Sequence, residues 1–165
     1  MPADSLQDQL IKYLTDVHST EQNALSTLRA GADSVDDAEL AMAFREHLPE
    51  TEEHERLVQG RLDAYGAGPS TLKDAAQKGV AAMTGAIANA APDTAGKMAI
   101  QAYAFEHLEI ASYRMLRQVA DRAGDHETVQ VADRILQQEH AAAETLSSLL
   151  ERVADHDLEQ MGLVA

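Results

Sequence analysis

The 165-residue chain contains no cysteine. That excludes disulfides, thiolate nucleophiles, zinc fingers and Cys-ligated iron–sulfur clusters. Tryptophan is also absent and phenylalanine occurs twice, so the core must be aliphatic and alanine-rich, which suits closely packed helices better than a sheet. Basic side chains are scarce: 13 Lys and Arg stand against 28 Asp and Glu, a formal charge of -15. A surface of that sign is repelled by phosphate backbones and by anionic lipid, so neither nucleic acid nor a membrane is expected as a partner. No apolar run approaches the ~20 residues of a membrane-spanning helix. The opening MPADSLQDQL has neither the basic nor the apolar segment of a secretion signal, and the expected compartment is the cytoplasm. What remains is a chain that is 45% hydrophobic and long enough to bury its own core, expected as one domain over 1–165.

Apolar residues recur at three-and-four spacing in four long segments, the pattern of core-facing helices. The first, about Asp4 to Ala30, carries Leu6, Leu10, Leu14, Val17, Glu21, Ala24 and Leu28, with Asp4 or Ser5 as cap and Gly31 as stop. The second, about Asp36 to Tyr65, carries Leu40, Phe44, His47, then Glu50 or Thr51, then His54. Pro49 lies within it and removes a backbone donor, so a bend or local opening is expected there. The third, about Asp93 to Ala123, carries Ala99, Ala102, Glu106, Glu109, Tyr113, Leu116 and Ala120. The fourth, about His126 to Ala154, carries Val131, Ile135, Glu139, Ala142 and Leu146, and the tail from Asp155 is expected to fray or add a short turn. Between the second and third, Gly66 to Ser70 breaks the chain, and Thr71 to Pro92 reads as one or two short helices in a long crossover. Two tight hairpins joined by one long connection make an all-α four-helix bundle of the ferritin-like type.

Glutamate interrupts every stripe. Glu21, Glu50, Glu109 and Glu139 sit where leucine or alanine is expected, and a buried carboxylate is costly unless paired or bound to a cation. Glu50 and His54 are four apart and Glu106 and Glu109 three apart, so each pair can face one site. Counting from the turn at Gly124 places Glu109 and Glu139 level. In the first hairpin His47 comes closer to level with Glu21 than Glu50 does, and His47 is a ligand candidate or a hydrogen-bond partner for a carboxylate. Tyr103 and Tyr113 are candidates to bond a carboxylate from behind. Carboxylates with one or two imidazoles suit two divalent ions, iron first, with manganese or zinc as alternatives.

Four stretches carry a family resemblance: YLTDVHSTEQNAL, AFREHLPETEEHERL, AYAFEHLEIASYRML and ILQQEHAAAETL. Over about Leu6 to Leu150 the chain resembles the YciE/YciF-type ferritin-like proteins, long carried as a domain of unknown function. The resemblance implies a carboxylate-rich metal centre with Glu21, Glu50, Glu109 and Glu139 as ligands and His54 and Glu106 as further candidates. It also implies an association with bacterial stress. The wider ferritin-like pattern places Glu-x-x-His in the second and fourth helices. Here position 53 is glutamate and position 142 alanine, which leaves Glu53, His47 or Glu106 to complete the site. Three functions follow: a di-metal centre acting on dioxygen or peroxide, a non-catalytic metal binder, or a structural bundle. A homodimer is the expected assembly.

Overall fold

Ser5 opens the first helix through a capping box. Its hydroxyl accepts from the Asp8 backbone N–H, and the Asp8 carboxylate accepts from the Ser5 N–H at 3.0 Å. The computed structural model describes residues 5–67 and 94–164, and in it four helices follow: α1 (Leu6–Ser34), α2 (Ala38–Ala64), α3 (Ala95–Ala123) and α4 (His126–Gln160). Asp37, Thr94 and Asp125 cap the later three, each accepting from a backbone N–H of the first turn. Gly124 ends α3 at φ 74°, a left-handed conformation that glycine adopts without strain. No strand occurs among the described residues, and none of their helices is long and apolar enough to cross a membrane. The expected crossover helices over Thr71 to Pro92 lie outside the described residues.

Each helix packs chiefly on two others, with α1 beside α2 and α3, and α4 beside α3 and α2. The apolar core falls into two halves. One contains Leu10, Leu14, Val58, Leu62, Leu116 and Ile135; the other contains Leu28, Leu40, Phe44, Ala99, Leu146 and Val153. Numbering rises from the first half to the second in α1 and α4, and falls that way in α2 and α3. The two hairpins are therefore antiparallel within themselves, and residues 68–93 link opposite ends of the bundle.

Two helix ends differ from the sequence reading. Helix α1 runs through Gly31 to Ser34. Gly31 is buried, and a Cβ there would lie 2.9 Å from the Phe44 ring, so the glycine serves close packing and not termination. Helix α4 runs six residues past Ala154 because its last turns are anchored. Val153 is fully buried, and Asp157 accepts from the Gly96 N–H at 2.9 Å, adding a carboxylate to the N-terminus of α3. Helix α2 is continuous through Pro49. In α4 the innermost small residues are Ala132 and Ala143, where the stripe reading had Val131 and Ala142.

The ends of the bundle are tied by charge. Asp37 takes both Arg152 guanidinium nitrogens, at 2.6 and 2.7 Å, and Asp125 accepts from Arg61, Tyr65 and Thr128. The Arg152 bonds beside Asp37 hold its carboxyl at about 2.

The two helical glycines predict opposite outcomes. Gly60 is exposed in α2 with nothing within 4 Å of an added Cβ, so Gly60→Ala should raise stability by about 1 kcal/mol through helix propensity. Gly31→Ala should lower it, because overpacking against Phe44 costs about 1–3 kcal/mol and outweighs the same gain. Urea denaturation of both variants checks this; stabilisation by Gly31→Ala would contradict the close contact.

Candidate metal centre

Between the two apolar halves lies a layer of buried polar side chains, contributed by all four helices. Glu21, His54 and Glu139 are fully buried, Glu109 and Glu106 nearly so, and His47 is buried as well. The stripes put them there. In α2 the inward positions are Leu40, Phe44, His47, Thr51, His54 and Val58, an unbroken three-and-four series. Thr51 takes the inward position that Glu50 or Thr51 could have filled.

The layer divides into two ligand groups that share one residue. Glu21, His54 and Glu139 each offer a donor atom, all within 4.8 Å of one another, and so do His47, Glu106 and Glu139. Glu139 belongs to both groups through different oxygens. Its Oε1 lies 2.9 Å from His54 Nδ1, and its Oε2 lies 3.5 Å from His47 Nε2. Glu21 Oε2 is 3.7 Å from the same His54 nitrogen, and Glu106 Oε2 is 3.5 Å from the same His47 nitrogen.

These atoms approach one another without forming hydrogen bonds. Glu21 Oε2, His54 Nδ1, Glu106 Oε2, Glu109 Oε1 and both Glu139 oxygens have no hydrogen-bond partner among the described residues. The 2.9 Å contact of His54 with Glu139 misses hydrogen-bond geometry. Buried polar atoms in native folds are almost always satisfied. Six orphans pointing at one region, from three carboxylate helices and one imidazole helix, are what a cation site presents before its cation is counted.

The protonation states follow from crowding. Burial pushes Glu106 up to about 10, assisted by Glu139, and pushes Glu109 well above the carboxylate range, assisted by Glu21 and Glu139. Burial also raises Glu21. Burial pushes the other way on His54, but Glu139 and Glu21 hold it at about 10. His47 is raised by Glu139 and Glu50 against burial. Glu139 is held below the usual range, because His47 and His54 outweigh its burial. Glu139 is thus the anion on which two imidazolium groups converge.

The surroundings orient the layer. The buried Tyr113 hydroxyl donates to Glu21 Oε1, leaving Oε2 toward the centre. Tyr103 instead stacks edge-on against His107. Glu50 stands at the rim, with 42% of its side chain exposed, and bonds His47 Nδ1 at 3.0 Å. Glu53 is on the surface, bound by Arg56 and near Arg134. Of the six residues expected to line the site, Glu21, His54, Glu106, Glu109 and Glu139 come together and Glu50 lies just outside. His47 joins them. Gln138 was not singled out; it lies next to Glu139 in sequence, about 100° round the helix, where no stripe marks it.

Two clefts reach the layer at Glu106, and one of them, about 480 Å³, lies beside Leu28, Gly31, Met98 and Phe105. The other, of about 240 Å³, is lined by Phe44, His47, Glu50, Glu106, Ala142 and Leu146, among others. Ala142 is the position where the ferritin-like pattern has histidine. Its small side chain borders the cleft that His47 of α2 also lines. Neither Glu21 nor His54 reaches this cleft.

Raised protonation constants give a testable pH dependence. For Glu106, Glu109 and His54 the folded protein holds protons that the unfolded chain would release, so the stability they contribute is fully present below their ordinary values and is lost as pH rises, toward about 10 for Glu106 and His54. Metal-stripped protein should therefore melt at progressively lower temperature between about pH 6 and pH 9, and Glu106→Gln should flatten that slope. A melting temperature that rises across this range would contradict the protonation assigned to the layer.

Comparison with known proteins agrees with this fold. The family model described as "Domain of unknown function (DUF892)" matches residues 5–159. Protein YciF of Escherichia coli (strain K12) is 30% identical over 154 residues, 88% of this chain and 90% of that protein. Its crystal structure, described as that of a stress protein, superposes with a TM-score of 0.74 at 20% identity, covering 93% of this chain and 99% of that one. A crystal structure of a protein from Xanthomonas campestris pv. campestris is 31% identical with a TM-score of 0.79, covering 96% and 99% of the two chains. Ferritin-like, diiron-carboxylate proteins from Bacillus anthracis superpose with a TM-score of 0.70 at 18% identity, covering 91% and 99%. The fold is ferritin-like.

Proposed function

The chain belongs to the DUF892 family, and on that premise we propose that it is a single-domain ferritin-like protein that binds two divalent metal ions in the polar layer. One observation carries this reading: Glu139 directs its two oxygens into two separate ligand groups, as a bridging carboxylate must. Glu21 and His54 would hold one ion with Glu139, and His47 and Glu106 the other. Glu109 contributes a further buried oxygen with no other partner.

The donor set is hard to borderline, with oxygens in the majority and two imidazoles, which suits iron or manganese, with zinc as the alternative. When bound, iron or manganese would supply redox chemistry toward dioxygen or peroxide. The protein's part is to exclude bulk water, position the ligands and leave an approach open. The cleft at Ala142 provides that approach to the His47 and Glu106 side, and its size admits small molecules of the dioxygen or peroxide class. A role in handling such species under stress is consistent with the stress-protein description of the Escherichia coli relative. We place the protein in the cytoplasm, as a homodimer.

Metal binding must displace protons from Glu106, Glu109 and His54, so its affinity rises with pH. Titration of metal-stripped protein with manganese(II) should give two ions per chain, with proton release revealed by calorimetry in buffers of different ionisation heat. Glu139→Ala should abolish binding of both ions, whereas Tyr113→Phe should retain them with affinity lowered about 10-fold. Uptake of no metal by the wild type, or two ions retained by Glu139→Ala, would sink the reading. Peroxide consumption by the iron-loaded protein separates an oxidising centre from a store that merely holds metal.

A further inference from the structure

Glu50 breaks a stripe in the sequence, yet the structure gives both its oxygens work outside the layer. Its Oε2 lies 3.0 Å from His47 Nδ1. Its Oε1 accepts from Gln138 Nε2 at 3.3 Å. The same Gln138 carboxamide turns its oxygen to His54 Nε2, 3.1 Å away. One carboxylate thereby touches both imidazoles, the first directly and the second through Gln138. Position and burial agree with this role: Glu50 is half-exposed at the rim, while every residue of the two ligand groups is buried.

The proton logic runs in one direction. A carboxylate only accepts, so His47 must carry its proton on Nδ1. For the same reason Gln138 must present its NH2 to Glu50 and its oxygen to His54, and His54 must carry its proton on Nε2. What remains for the interior is His47 Nε2 and His54 Nδ1, the two atoms that face the Glu139 oxygens. The ring planes stand 68° apart with centroids 6.2 Å from each other, so two differently oriented imidazoles reach one layer from positions about two turns apart on one helix.

We propose that Glu50 is a positioning residue and not a metal ligand: through Gln138 it sets opposite tautomers on His47 and His54, so that one binds metal through Nε2 and the other through Nδ1. This rests on the metal-centre reading and specifies how that centre is built. It also accounts for Glu50 standing between two inward histidines seven residues apart. The stretch His47-x-x-Glu50 holds a histidine and its orienting carboxylate on adjacent turns, and Gln138 on α4 extends the reach of that carboxylate to the next histidine.

Zinc-loaded protein labelled with 15N-histidine tests the proposal by long-range proton–nitrogen correlation, because zinc is diamagnetic. His47 should show a protonated Nδ1 and a metal-bound Nε2, and His54 the reverse. Both rings bound through the same atom, or either ring bound the other way, would overturn the proposal. Glu50→Ala should weaken zinc binding about 10–100-fold while saturation remains at two ions per chain. In that background Gln138→Glu, which gives His54 a carboxylate of its own, should recover the Nε2 proton and part of the affinity. Saturation at one ion in Glu50→Ala would make Glu50 a ligand and overturn the assignment. A wild type that takes up no zinc would overturn the metal centre and this arrangement together, whereas normal uptake with the wrong tautomers would overturn this arrangement alone.

Discussion

Everything in this bundle is arranged around one buried carboxylate. Glu139 sits at zero exposure between His47 and His54, with Glu21, Glu106 and Glu109 crowded about it. Four carboxylates in one dry layer would repel one another and lose their hydration, an unfavourable state that apolar packing alone cannot justify. The protein meets the constraint with two histidines, with protons on the carboxylates that cannot ionise, and with donor atoms left unsatisfied for a cation. In the proposed metal centre, cation binding offsets this cost.

The rest of the structure keeps that layer in register. Two apolar halves lie on either side, so the helices cannot slide without moving leucines into the polar zone. Close packing of Gly31 on Phe44 brings α1 and α2 together next to the layer. At the two ends, Asp37 with Arg152 and Asp125 with Arg61 tie α2 to α4, the least closely packed of the four neighbouring helix pairs. The sparse packing coincides with the cleft at Ala142, so the fold is held shut at its ends and left open beside His47.

Much of this was legible from periodicity. Four stripes, two short turns and a long connection define the bundle, and Glu21, Glu106, Glu109, His54 and Glu139 fall on inward positions by spacing alone. The difficulty lay in α2. Between His47 and His54 a three-and-four stripe passes through either Glu50 or Thr51, and the choice depends on a helix rotation that only packing against α1 and α4 decides. Thr51 went inward and Glu50 to the rim. Gly31 carried the signature of a helix stop because a close ring contact leaves no mark on local sequence. Gln138 was invisible for a related reason: it lies off every stripe, and its role arises only where two helices meet. The long α4 likewise depends on a tertiary partner, the N-terminus of α3, that a local reading does not contain.

The layer also departs from the symmetric ferritin-like pattern in a consistent manner. The fourth helix has alanine where that pattern has a second ligand, and the second helix carries two inward histidines. One ligand group is enclosed behind Tyr113 and the other borders the cleft. Anomalous diffraction from crystals of iron-loaded protein, collected above and below the iron edge, tests the central claim most directly. The account predicts two anomalous peaks about 3.5–4 Å apart on either side of the Glu139 carboxylate. A single peak there, or iron bound only at the acidic surface with none in the buried layer, would contradict it.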